Sequence, residues 1–143
     1  MLPLAFNIID EENRNKVIAN LAETVKRENT TDRGQQCPSY SLMTGFIGTS
    51  WINKALSDYG HSDLAYRLLQ QTSYPSWLYS IEQGATAIWE RLNSYTRTDG
   101  FGGNNRMNSF NHYSFGAVGA WMYNYSLGIP VSYTHLRAHE TRH

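Results

Sequence analysis

At 143 residues and 41% hydrophobic, the chain is long enough to bury one ordinary core. Its formal net charge is zero and its acids and bases are interspersed, which argues against a nucleic-acid stripe and against an acidic disordered tail. The single Cys37 excludes an internal disulfide and a cysteine zinc cage, no apolar run is long enough to cross a bilayer, and the N-terminus lacks the pattern of a signal peptide.

The expected elements are helices in succession. Leu2, Pro3, Leu4, Phe6, Ile8 and Ile9 form an apolar stretch at one end of a buried helix. Asp10 is a candidate N-cap before the acidic first turn Glu11-Glu12; Val17, Ile18, Leu21 and Val25 follow at helical spacing, and Lys26-Arg27 suit the last turn. Asn29 to Ser39 is polar and reads as loop. Thr44 to Thr49 leads into a helix whose face is Trp51, Ile52, Ala55, Leu56 and Tyr59, with Gly60 as the stop. Ser62 and Asp63 open the next helix, whose face is Leu64, Ala65, Leu68 and Leu69. Ser76 caps a short helix carrying Trp77, Leu78 and Ile81. Thr86 to Leu92 alternates and reads as extended, Thr98 to Met107 as loop, and a last helix is expected from about Phe110 to Tyr125, marked by Phe115, Val118, Gly119 and Met122. The pattern is that of an all-α protein of packed helical hairpins.

Two segments carry chemistry. Gly84-Ala85-Thr86-Ala87-Ile88-Trp89-Glu90-Arg91 sets a carboxylate beside a tryptophan. Asn108-Ser109-Phe110-Asn111-His112-Tyr113 adds amides, a hydroxyl and an imidazole among aromatic rings. Rings that stack on sugars, polar groups that bond hydroxyls and a carboxylate for proton transfer suit the wall of a sugar-binding cleft. The plainer alternatives are an exposed Glu90 paired with Arg91 or Arg67, and a His112 bonded to backbone at a helix start. Trp77 and Trp89 suit either core or cleft, with Trp89 favoured for the cleft by its place beside Glu90. Phe46, Tyr79 and Tyr113 are open between the two. Gly100-Phe101-Gly102-Gly103 lacks the lysine and hydroxyl residue of a phosphate cradle and reads as a rim of the cleft.

His139-Glu140-Thr141-Arg142-His143 matches the H-E-x-x-H zinc signature, with His135 one turn earlier. The chain ends at the second histidine, and Pro130 to Arg137 has no apolar periodicity to support a helix, so no metal site is expected. Val131 to Thr141 also resembles the translation of a sequencing-library adapter. Residues 131–143 are therefore read as a non-native tail, and residues 1–130 as the natural sequence.

Residues 1–130 resemble bacterial α-L-rhamnosidases, glycoside hydrolase family 78. The resemblance runs through Leu2 to Phe6, Thr44 to Thr49, Ser62 to Leu69, Tyr74 to Tyr79, Gly84 to Arg91, Met107 to Tyr113 and Phe115 to Gly119. It implies the C-terminal part of an (α/α)6 catalytic barrel and inverting hydrolysis of terminal α-L-rhamnosyl residues. Glu90 then matches the family's general base, and Asn108, Asn111 and His112 match its sugar pocket, with Trp89 alongside. The chain departs from the family pattern at Ala87, Leu92 and Ala120. No cofactor and no metal are implied. The partners implied are a rhamnose-containing glycoside or polysaccharide and the rest of the same catalytic domain; nucleic acid and a membrane span are not.

An inverting site needs two carboxyl groups, and the family's acidic motif has no match in residues 1–130. The isolated chain is thus expected to lack activity. The alternatives are an (α/α)6 barrel glycosidase for another sugar, or a non-catalytic helical carbohydrate-binding module.

Overall fold

The computed structural model describes residues 1–32, 34–102 and 107–129. The expected all-α architecture is observed: α1 (Leu2–Ala5), α2 (Glu11–Lys26), α3 (Phe46–Asp58), α4 (Ser62–Gln70), α5 (Trp77–Glu82) and α6 (Val118–Trp121). The last is preceded by a 3-10 turn, Tyr113–Ala117, and followed by a π-helical turn, Met122–Ser126.

The third helix is the hub, packed against α1, α2, α4, α6 and the 3-10 turn. Ile52, Ala55 and Leu56 recur at helical spacing and are buried. Ile52 and Leu56 share one buried cluster with Leu64, Ala65 and Leu68 of α4, and Ala22 and Val25 of α2. Gly60, at φ +84°, ends α3 in the left-handed region and turns the chain directly into α4. At the start of α3 the Thr44 and Thr49 hydroxyls lie 2.9 Å apart, and Thr49 donates to the Gly45 carbonyl at 3.0 Å. A Cβ at Gly48 would come within 2.9 Å of Thr44 Cβ and of Met1 Cε, so glycine permits this close approach.

Local expectations fare unevenly. Ser76 caps α5 by accepting from Tyr79 N–H at 3.1 Å. Asp10 occupies the N-cap of α2, yet its side chain makes no capping bond. The N-terminal apolar stretch forms a single turn: Leu4 is buried, while Phe6 and Ile8 are 54% and 74% exposed. Within the expected loop 29–39, Asn29–Thr30 (β1) and Gln36–Cys37 (β2) pair antiparallel as a small hairpin. Thr86 to Leu92 is irregular and not a strand.

The last helix starts later than its apolar pattern suggests. Glu90 N–H donates to Ser109 O at 2.9 Å and His112 N–H to Ile88 O at 2.7 Å, so this backbone is spent on segment 88–90 and cannot enter a helix. The 3-10 start shifts the phase of α6. Val118 and Trp121, three apart, become the buried residues, whereas Met122 is 40% exposed. Trp121 Nε1 donates to Ser57 Oγ at 2.8 Å, and Tyr125 and Lys54 both bond Asp58, which fastens this end to α3. The hydrogen bond to Asp58 raises the Lys54 pKa, and burial, followed by Asp58, raises that of Tyr125.

Candidate active site

The segments 88–90 and 108–112 come together because their main chains pair, and the pairing fixes a carboxylate. Besides the bond from Glu90 N–H to Ser109 O, the Ser109 N–H donates back to Glu90 Oε2 at 2.7 Å. A charge-assisted bond of this length holds one carboxylate oxygen in place. Among the described residues Glu90 Oε1 has no hydrogen-bond partner, so the outer oxygen is available to a ligand. The plain ion-pair alternative is not what the geometry shows. Arg67 lies over the Tyr40 ring, 5.2 Å from its centroid, and Arg91 Nη2 donates to Met107 O at 3.0 Å.

Glu90 lines a cleft of about 680 Å³, within the range of small-molecule sites. Arg91, Ser94 and Asn108 share its wall, with Phe46, Phe101 and Phe115 as aromatic lining and Thr31, Asp32 and Gln35 from the β1–β2 hairpin. Asn108 is anchored: its Oδ1 lies 2.7 Å from Ser94 Oγ, which also sits 2.8 Å from Arg91 O. Gly100, at φ +63°, closes a tight turn with Thr96 through reciprocal backbone bonds of 2.8 and 2.9 Å, and the following Phe101 stands 61% exposed on the cleft. Gly103 lies outside the described residues.

His112 sits beside this cleft and not on its lining. Its ring stacks on Phe46 at 4.8 Å and 21°, and on Tyr113 at 5.8 Å and 2°. Its Nδ1 accepts from Ser114 N–H at 3.4 Å, capping the 3-10 turn. With Nδ1 as acceptor, the neutral ring carries its proton on Nε2, which becomes a donor for a ligand. The backbone role and a ligand role therefore use different nitrogens. Asn111 is exposed, with its N–H on Ser109 Oγ at 3.2 Å. Trp89 is 7% exposed, off the cleft lining, with its ring edge-on to Phe110 at 5.5 Å; Phe110 in turn meets Phe101 at 5.5 Å. Trp77 belongs to the core, where Nε1 donates to Phe115 O at 2.8 Å.

Sequence reasoning passed over Ser109 as the group that holds Glu90, and over Thr31, Asp32 and Gln35. No local motif marks the hairpin residues. Only the fold brings them to Glu90.

Among the described residues no group of His, Cys, Asp and Glu could hold a metal ion, and no helix is long and apolar enough to cross a membrane. His139, Glu140 and His143 of the zinc-like tail lie outside the described residues.

Comparison with known proteins accounts for the arrangement. An α-L-rhamnosidase of Formosa agariphila is 43% identical over 129 residues, which is 90% of this chain and 13% of that protein. The crystal structure of Streptomyces avermitilis α-L-rhamnosidase complexed with L-rhamnose superposes with a TM-score of 0.73 at 39% identity, over 86% of this chain and 11% of that one. The α-L-rhamnosidase structure from Dictyoglumus thermophilum gives 0.69 at 37% identity, over 86% of this chain and 12% of that one. The chain thus spans only a small part of the length of the relatives it matches. Residues 1–126 match the family model of the bacterial alpha-L-rhamnosidase 6 hairpin glycosidase domain, and the chain belongs to that family.

Proposed function

We propose that this chain is the C-terminal part of the catalytic domain of a longer inverting α-L-rhamnosidase, with Glu90 as the general base. The observation that carries the reading is the Glu90 carboxylate itself. One oxygen is fixed by Ser109 N–H, the other has no partner among the described residues, and the group lines a cleft with exposed aromatic rings. In an inverting reaction a carboxylate takes a proton from water as that water attacks the anomeric carbon, while a second carboxyl group, roughly 6.5–9.5 Å away, protonates the leaving oxygen. The second group comes from outside residues 1–130. Asn108, Asn111 and His112 bond the sugar hydroxyls, and Trp89 supports that wall through Phe110. Residues 1–130 are the natural barrel segment and 131–143 a non-native tail, a division in keeping with a family match that ends at residue 126. The substrate class is a rhamnose-containing glycoside, as the relatives' names indicate.

The test tracks the anomer released by the full-length enzyme. Proton NMR during early hydrolysis of an aryl α-L-rhamnoside is expected to show β-L-rhamnose first, with the α form appearing only by mutarotation. Initial release of α-L-rhamnose would rule out the inverting role for Glu90.

His112→Ala checks the sugar wall. Removing one partner of a hydrogen bond that the bound sugar buries costs about 1–3 kcal/mol, so kcat/KM is expected to fall by roughly one to two decades in an enzyme that stays folded by circular dichroism. Unfolding of the variant would assign His112 to support of the 3-10 turn instead.

A further inference from the structure

The Glu90 segment is neither helix nor strand, so no regular backbone ladder fixes where its carboxylate stands. Its position comes from crossings to the segment 108–112. The two run in opposite directions: His112 N–H donates to Ile88 O at 2.7 Å and Glu90 N–H to Ser109 O at 2.9 Å. The next crossing, from Arg91 to Asn108, passes through a side chain. Ser94 Oγ lies 2.8 Å from Arg91 O and 2.7 Å from Asn108 Oδ1, and it accepts from Arg91 N–H at 3.3 Å. The link holds in either orientation of the Asn108 amide, because a hydroxyl both donates and accepts. Ser94 is 3% exposed and its N–H donates to Arg91 O at 3.0 Å, so a closed turn sets the hydroxyl in place.

We propose that Ser94 is a positioning residue for the general base, setting Glu90 through Arg91 on one side and through Asn108 and Ser109 on the other. The proposal rests on the reading of Glu90 as the base of a rhamnoside-cleaving site. Arg91 directly follows Glu90, and Asn108 directly precedes the Ser109 whose N–H holds Glu90 Oε2 at 2.7 Å. The hydroxyl therefore joins the chain neighbour of the base to the chain neighbour of its holder. The other crossing nearby, from Arg91 Nη2 to Met107 O at 3.0 Å, is exposed and depends on a long side chain with several rotamers. A general base must keep its oxygen within hydrogen-bond reach of the attacking water, so a small displacement lowers the rate of the chemical step. An effect passed to the sugar through Asn108 would instead appear in KM and in every attack on the anomeric carbon.

The full-length enzyme is assayed on p-nitrophenyl α-L-rhamnoside in two backgrounds. Ser94→Ala alone is expected to lower kcat about tenfold, with KM within about twofold of the parent. The second background is Glu90→Gln supplied with azide, an anion that attacks the anomeric carbon without a base. Adding Ser94→Ala there is expected to leave the azide-dependent rate unchanged, whereas a merely structural loss would lower both rates by the same factor. Ser94→Cys keeps the shape but bonds weakly, so it is expected to reproduce the kcat loss and takes over the test where the alanine variant does not fold. An unchanged kcat overturns the proposal. So does a parallel fall in the azide-dependent rate, or a loss carried by KM, either of which would assign Ser94 to the fold or to the sugar wall. Those results leave the role of Glu90 standing, whereas near-normal turnover by Glu90→Gln itself overturns both.

Discussion

Glu90→Gln in the full-length enzyme is expected to lower kcat by about 10²–10⁴, the usual worth of general base catalysis. The geometry makes the substitution clean. The glutamine oxygen can still accept from Ser109 N–H, which holds Glu90 Oε2 at 2.7 Å, so the side chain keeps its position. The amide nitrogen then occupies the place of the open oxygen. It donates to the water and cannot take its proton. Substrate binding is expected to survive, so the loss falls on kcat and not on KM. Azide supplies a second readout: as an anion it needs no deprotonation, attacks the anomeric carbon as the glycosidic C–O bond breaks, and restores rate while forming a β-glycosyl azide. Near-normal turnover by Glu90→Gln would refute the assignment.

Trp77→Ala is expected to destabilise the chain by about 3–5 kcal/mol, read as a lower urea midpoint. Trp77 is 6% exposed at the start of α5, within the core, so truncation leaves a cavity. It also removes the hydrogen bond from Nε1 to Phe115 O at 2.8 Å, which ties α5 to the 3-10 turn. Trp77→Phe keeps most of the ring volume and is expected to cost about 1–3 kcal/mol, the share of the lost hydrogen bond. The effect reaches the site, because Phe115 meets Phe46 edge-on at 5.2 Å and Phe46 carries the His112 ring. A Trp77→Ala chain within about 1 kcal/mol of the parent would show that this tryptophan is not the anchor of α5.

The amino-acid order by itself determined the all-α class, α2 to α5, the Gly60 stop and the Ser76 cap, because apolar period, capping side chains and glycine conformation act within a few residues. It also carried the family, through ordered blocks along the chain, and singled out Glu90 by its place beside Trp89. What only the tertiary structure decided lies in pairings between distant segments. Periodicity put a helix start near Phe110, but the backbone bonds between 109–112 and 88–90 moved it to Tyr113 and exposed Met122 in favour of Trp121. Adjacency put Trp89 on the cleft, but its ring is buried against Phe110. Nothing near Asp32 in the chain marks it as lining the same cleft as Glu90, 58 positions away (90 − 32). Local preferences are worth tenths of a kcal/mol per residue, and a few long-range hydrogen bonds with buried aromatic contacts outweigh them wherever the two conflict.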